Sequence, residues 1–181
     1  MKRLLCILAC AALLTMSACT KQDDSSAQMI DGCEWITRQQ DVDDDYMKIV
    51  EATEDIYSLY VSSAMSSDDF LTELEITQAQ LIYVKNNYDT EKNKVIIDPQ
   101  SPSVAIKGIN ALEDLFTDLN KLYLASVQPS GAPYSSIEVS YIYLNYKDKI
   151  IDDYIKYKAA VAVINNASSA DDSRSDEREG E

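Results

Sequence analysis

From residue 42 onward, apolar side chains return at Val42, Tyr46, Ile49, Val50, Ile56, Tyr57, Tyr60, Val61 and Ala64, with no glycine or proline between them. A three-to-four-residue rhythm of this kind predicts a helix over 42–65. Ser66, Ser67, Asp68 and Asp69 follow, and their short polar side chains suit the unpaired N–H groups at a helix start. The next run, Phe70, Leu71, Leu74, Leu81, Ile82, Val84 and Tyr88, predicts a second helix that leaves on a tight turn, packs antiparallel to the first and ends at Asn86-Asn87-Tyr88-Asp89. A third helix is expected from Ser103, with Ala105, Ile109, Leu112, Phe116, Leu119 and Tyr123 in alternating steps of four and three, the seam spacing of left-handed bundle packing. Gly108 lies early in it and costs little there. The stretch Gln128-Pro129-Ser130-Gly131-Ala132-Pro133 stops it, because neither proline nor glycine sustains a helix. Ser135 followed by Glu138 then reads as a capping box that opens a fourth helix, running to about Asn165.

Four such helices imply an all-α fold, an antiparallel four-helix bundle, either up-and-down or with a crossover through the long 89–103 link. Val95-Ile96-Ile97 in that link is an extended piece or a loop tucking apolar side chains under the body, and no strand-period run competes with the helices. Thr20–Gln28 reads as a polar tether, Met29–Gln40 as a short helical turn packed on the body, and the acidic stretch from Asn166 as a disordered tail. The chain therefore divides into 1–18, 19–40, a bundle domain over 41–165, and 166–181.

The fourth helix is apolar around too much of its circumference for a peripheral position. At about 100° per residue, Tyr143, Tyr146, Tyr154 and Tyr157 fall within an arc of roughly 80° with Ile150 and Val161. Ile137, Tyr141, Leu144, Ile151, Ile155 and Ala162 occupy another face, so about 200° is apolar where a stripe of about 100° suffices. The chain also holds twelve tyrosines against two Phe and one Trp, and tyrosine pairs a flat apolar body with a hydrogen-bonding tip suited to interfaces. Either the helix is central, or one stripe docks a partner. For the docking case the tyrosine stripe is the candidate binding surface, for a protein first and a glycan second.

The N-terminus carries a different signal. Lys2 and Arg3 precede a mostly apolar run, Leu4–Met16, too short to cross a bilayer as a helix and suited to the core of an export signal. Met16-Ser17-Ala18-Cys19 resembles the lipobox of bacterial lipoproteins, with Met16 where leucine is usual. That resemblance implies cleavage before Cys19, acylation of its thiol and amino group, and a body held covalently at the membrane, since several acyl chains anchor firmly. Thr20 in place of aspartate implies sorting to the outer membrane, and Lys21-Gln22-Asp23-Asp24 resembles an acidic export tag. Surface-exposed and periplasmic-facing orientations both stay open.

Cleavage there leaves 163 of 181 residues, with 14 basic against 31 acidic side chains and a net charge of −17, enough chain for one domain. Such a surface repels phosphate backbones, and no basic footprint for nucleic acid is present. Cys6 and Cys10 leave with the signal and Cys19 is lipidated, so Cys33 remains with no disulfide partner and is expected to be buried beside Trp35.

Catalytic readings find little support. The sequence has no histidine, the commonest general base, activator of Ser or Cys nucleophiles, and transition-metal ligand. Asp41, Asp43 and Asp45 have the opening spacing of a calcium loop, but Tyr46 stands where the turn needs glycine and Ala52 where a bidentate glutamate belongs. These aspartates are expected to cap the first helix. Paired carboxylates such as Glu51 and Asp55 lack the histidines of di-metal bundle sites. The expectation is a non-enzymatic, cofactor-free and metal-free envelope lipoprotein that acts as a protein-interaction or adaptor module, with glycan or small-ligand binding as the alternative.

Overall fold

A computed structural model describes residues 27–176. The predicted signal, Cys19 and the tether up to residue 26 lie outside the described residues, as do residues 177–181 of the predicted tail. Within them the fold is predominantly helical: β1 (Gln28–Ile30), α1 (Gly32–Arg38), α2 (Gln40–Val61), α3 (Ser67–Lys92), β2 (Val95–Ile97), α4 (Ser103–Ala125) and α5 (Ser136–Asp176).

Local chemistry sets several boundaries. Ser66 caps α3 by accepting from Asp69 N–H at 3.2 Å. At the head of α5, Ser135 N–H donates to Glu138 Oε2 at 3.0 Å and Glu138 N–H to Ser135 Oγ at 3.4 Å, the reciprocal pair of a capping box. Gly131, at φ 83°, turns the connection between α4 and α5. The core is built from Tyr46, Ile49, Tyr57, Phe70, Leu74, Leu81, Tyr88 and all six apolar positions of the third predicted helix.

Other boundaries differ from the sequence reading. Helix α3 runs past Asn86 to Lys92, because Tyr88 is buried and Lys85 pairs with Asp89 one turn on. Helix α2 starts at Gln40 with no side-chain cap. Asp43, Asp44 and Asp45 lie inside the helix, as the predicted 42–65 span has them, but none of them caps its start. Asp43 is engaged by Lys158 of α5, and Asp45 by Lys48 at 3.2 Å. Helix α5 continues to Asp176, beyond Asn165, where a disordered tail was expected to begin. No glycine or proline occurs between Pro133 and Gly180, so the backbone can stay helical after its apolar face has ended.

Val95–Ile97 takes the extended alternative, and it pairs with a strand at Gln28–Ile30, where the sequence reading has the end of the tether and the start of a helical turn. β1 and β2 pair in parallel, with Gln28 opposite Val95, Met29 opposite Ile96 and Ile30 opposite Ile97. The three β-branched residues of β2 and Ile30 opposite them favour the extended state, and Gly32 N–H donates to Ser101 Oγ at 2.7 Å to hold the N-terminal segment against the start of α4. Helix α1 follows directly and drives Trp35 and Ile36 into the core. The Trp35 ring meets Tyr88 edge-on at 5.6 Å.

Contacts between the long helices order them. Tyr57 of α2 meets Phe70 of α3 and Tyr143 of α5. Gln78 of α3 reaches Asn120 of α4, while Tyr88 reaches Glu113. Gly108 of α4 lies against Ala160 of α5, and Asp118 against Lys149. In each of the α3–α4 and α4–α5 pairs, rising numbers on one helix meet falling numbers on the other.

Candidate functional site

Helix α5 carries both candidate surfaces, and its neighbours decide between them. Tyr157 is fully buried, and Tyr143, Tyr146 and Tyr154 are half-buried and packed against the core with Ile142 and Val161. Tyr143 stacks on Tyr57 of α2, ring centres 4.9 Å apart and planes 19° from parallel. The stripe chosen from the sequence as the docking face is thus the one that builds the body. Its rings pack toward α2, and on the same side Lys147 pairs with Glu54 at 3.2 Å and Lys158 pairs with Asp43.

The opposite stripe is exposed. Ile137 is 69% exposed, Tyr141 67%, Leu144 62% and Ile155 59%. Ile151 completes the row, and Ala159 and Ala162 prolong it. At 1.5 Å per residue the row from Ile137 to Ile155 is roughly 27 Å long, an exposed apolar strip, interrupted at one position, of the kind that marks interaction sites. The exposed carboxylate of Asp148 stands midway along it. The sequence reading had placed all of these residues except Asp148 and Ala159 on one face. It named the tyrosine face as the docking surface, and that is the face that packs on the core.

Beside the stripe lies an open groove of about 370 Å³ between α2 and α5, walled by Glu54, Ser58, Val61, Tyr143, Leu144 and Lys147. It brings Tyr143 to a partly apolar wall but does not gather the four tyrosines, as a glycan site built on them would require. A second hollow, about 390 Å³, opens at the other end of the helices over Trp35, Arg38, Asn87, Tyr88, Glu91 and Lys94. Trp35 is only 2% exposed, too buried to offer a stacking platform.

The titratable groups serve packing. Burial pushes the phenols of Tyr46, Tyr57, Tyr88 and Tyr157 well above their ordinary range. Tyr123, hydrogen-bonded to Thr53, is pushed up to about 12 by burial. Asp118, 2% exposed, is satisfied by Lys149 and Lys121. Cys33 is half-buried among residues packed on the core, and burial raises its thiol pKa. Among the described residues no group of Cys, Asp and Glu is arranged to hold a metal ion, and no helix is long and apolar enough to cross a membrane.

Comparison of the chain with protein-family models, with curated proteins and with solved structures gives no match.

Proposed function

We propose that this chain is a cell-envelope lipoprotein, anchored to the outer membrane through acylated Cys19, whose body is a non-enzymatic protein-interaction or adaptor module docking through the outward stripe of α5. The observation that carries this reading is that stripe: Ile137, Tyr141, Leu144, Ile151 and Ile155 form an exposed row interrupted by Asp148, while the tyrosines behind them supply the packing that holds the helix in place. A helix that needed only to close a core would leave this side polar.

The body is read as an antiparallel four-helix bundle of α2, α3, α4 and α5. Supporting this, Glu54 meets Lys147 and Asp43 meets Lys158 between α2 and α5, and Asp118 meets Lys149 between α4 and α5. The tether would enter at Gln28, beside Lys94 and the start of α4, while Ile137 and Leu144 stand near the other end, by the Ser62–Ser66 turn. The exposed row then extends away from the membrane surface, toward a partner in the envelope or outside the cell.

The test replaces Tyr141 with a photo-cross-linking residue in the full chain expressed in its native host. Illumination should give one discrete adduct in the membrane fraction. The adduct should vanish when Leu144→Ser and Ile155→Ser are added, and Cys19→Ala should release the protein from the membrane. An adduct indifferent to both stripe substitutions overturns the docking surface. Membrane retention of the Cys19→Ala variant overturns the anchor.

A further inference from the structure

The geometry points to a basic amphipathic helix of another protein as the occupant of the α5 stripe, an inference that rests on the docking reading above and adds the chemistry of the partner. The stripe has the four-and-three spacing of a helix–helix seam from Ile137 through Tyr141, Leu144, Asp148, Ile151 and Ile155. A partner helix is therefore the shape that fills it.

The charges set its sign. All four lysines of α5 between residues 147 and 158 are held by carboxylates of their own chain: Lys147 by Glu54, Lys149 by Asp118 and Asp153, Lys156 by Asp152 and Asp153, Lys158 by Asp43. On the stripe itself exposed Asp148 has no ion pair among the described residues, and neither have the exposed Glu51 and Asp55 of α2. The stripe is thus apolar with an uncompensated negative charge at its middle, on a chain of net charge −15. A Lys or Arg opposite Asp148, flanked by further basic residues, complements it.

The same residues disfavour two other occupants. A second copy paired symmetrically about the middle of the stripe sets Asp148 against its own counterpart, a like-charge contact withdrawn from water. An anionic lipid surface meets the full repulsion of an acidic body.

Two synthetic helices of about 20 residues test the inference against the full acylated chain in detergent, with affinity read by fluorescence anisotropy. Both carry leucines in four-and-three spacing; one has lysines on its flanks and the other glutamates at the same positions. The basic helix should bind about tenfold or more tightly than the acidic one at physiological salt, with affinity falling as salt rises. Asp148→Lys should weaken the basic helix about fivefold and strengthen the acidic one. Equal binding of both helices overturns the basic partner while leaving the docking surface intact. If neither helix binds, both readings fall, unless sedimentation shows a dimer abolished by Leu144→Ser, which makes a second copy the occupant. Binding of the unacylated Cys19→Ala chain to phosphatidylglycerol vesicles, lost with Leu144→Ser, makes the occupant lipid and likewise overturns the inference.

Discussion

Gly108 shows how one residue sets the distance between two helices. A Cβ at that position would stand 2.6 Å from Ala160 Cβ and 2.8 Å from Ile36 Cδ1, closer than real side chains tolerate. Ile36 can turn its methyl aside, but Ala160 Cβ is fixed to the α5 backbone. Gly108→Ala gains about 1 kcal/mol of helix propensity, while overpacking a tight core costs about 1–3 kcal/mol. The variant is expected to be less stable by about 1 kcal/mol in urea unfolding, and a more stable variant would show that α4 and α5 are not in close contact. From sequence alone this glycine looks incidental, because its reason lies on another helix fifty residues along. Ser135 and Glu138 are the contrary case: both halves of their exchange lie within one turn, so the sequence displays the motif whole.

Whether an element is legible in sequence follows the range of the forces that shape it. The start of α4 at Ser103 and the stop before Gly131 come from local chemistry, and the sequence shows both. The parallel pairing of β1 with β2 joins segments separated by three helices, and no local pattern in Gln28–Ile30 announces a partner that distant. Helix α5 presents two apolar stripes, and contacts distant in sequence, the stacking of Tyr143 on Tyr57 and the burial of Tyr157, turn the tyrosines inward, with the ion pairs to Glu54 and Asp43 at the edge of that face. Those inward tyrosines have a measurable consequence at high pH. A buried phenol is held neutral, whereas in the unfolded chain it ionises near 10. The stability it contributes is intact below pH 10 and is lost as pH rises from there through the folded values, about 12 for Tyr123 and higher for Tyr46, Tyr57, Tyr88 and Tyr157. Lys149 and Lys158, raised by their hydrogen bonds to Asp118 and Asp43, act in the same direction. Helical circular dichroism should therefore collapse cooperatively above pH 10, in step with phenolate absorbance from the core tyrosines. Full phenolate absorbance with unchanged helicity would mean that these rings are open to solvent.

Taken whole, the molecule divides its work across one long helix. The side of α5 facing α2 and α4 closes the core with Tyr157, Ile150, Val139 and Ala160, and the side facing outward offers a row of apolar residues broken by a single carboxylate. If that division is right, the two stripes respond oppositely to the same substitution. Equilibrium unfolding in urea of Tyr157→Ser and of Ile155→Ser, each against the parent chain, tests it most directly. Emptying a buried ring site costs about 3–5 kcal/mol, so Tyr157→Ser should lose at least that much or fail to fold. A surface change removed from any core contact stays within about 0.5 kcal/mol, so Ile155→Ser should unfold at nearly the parent midpoint. Comparable losses in the two variants would place the outward row inside a packed core, and the docking surface would not exist.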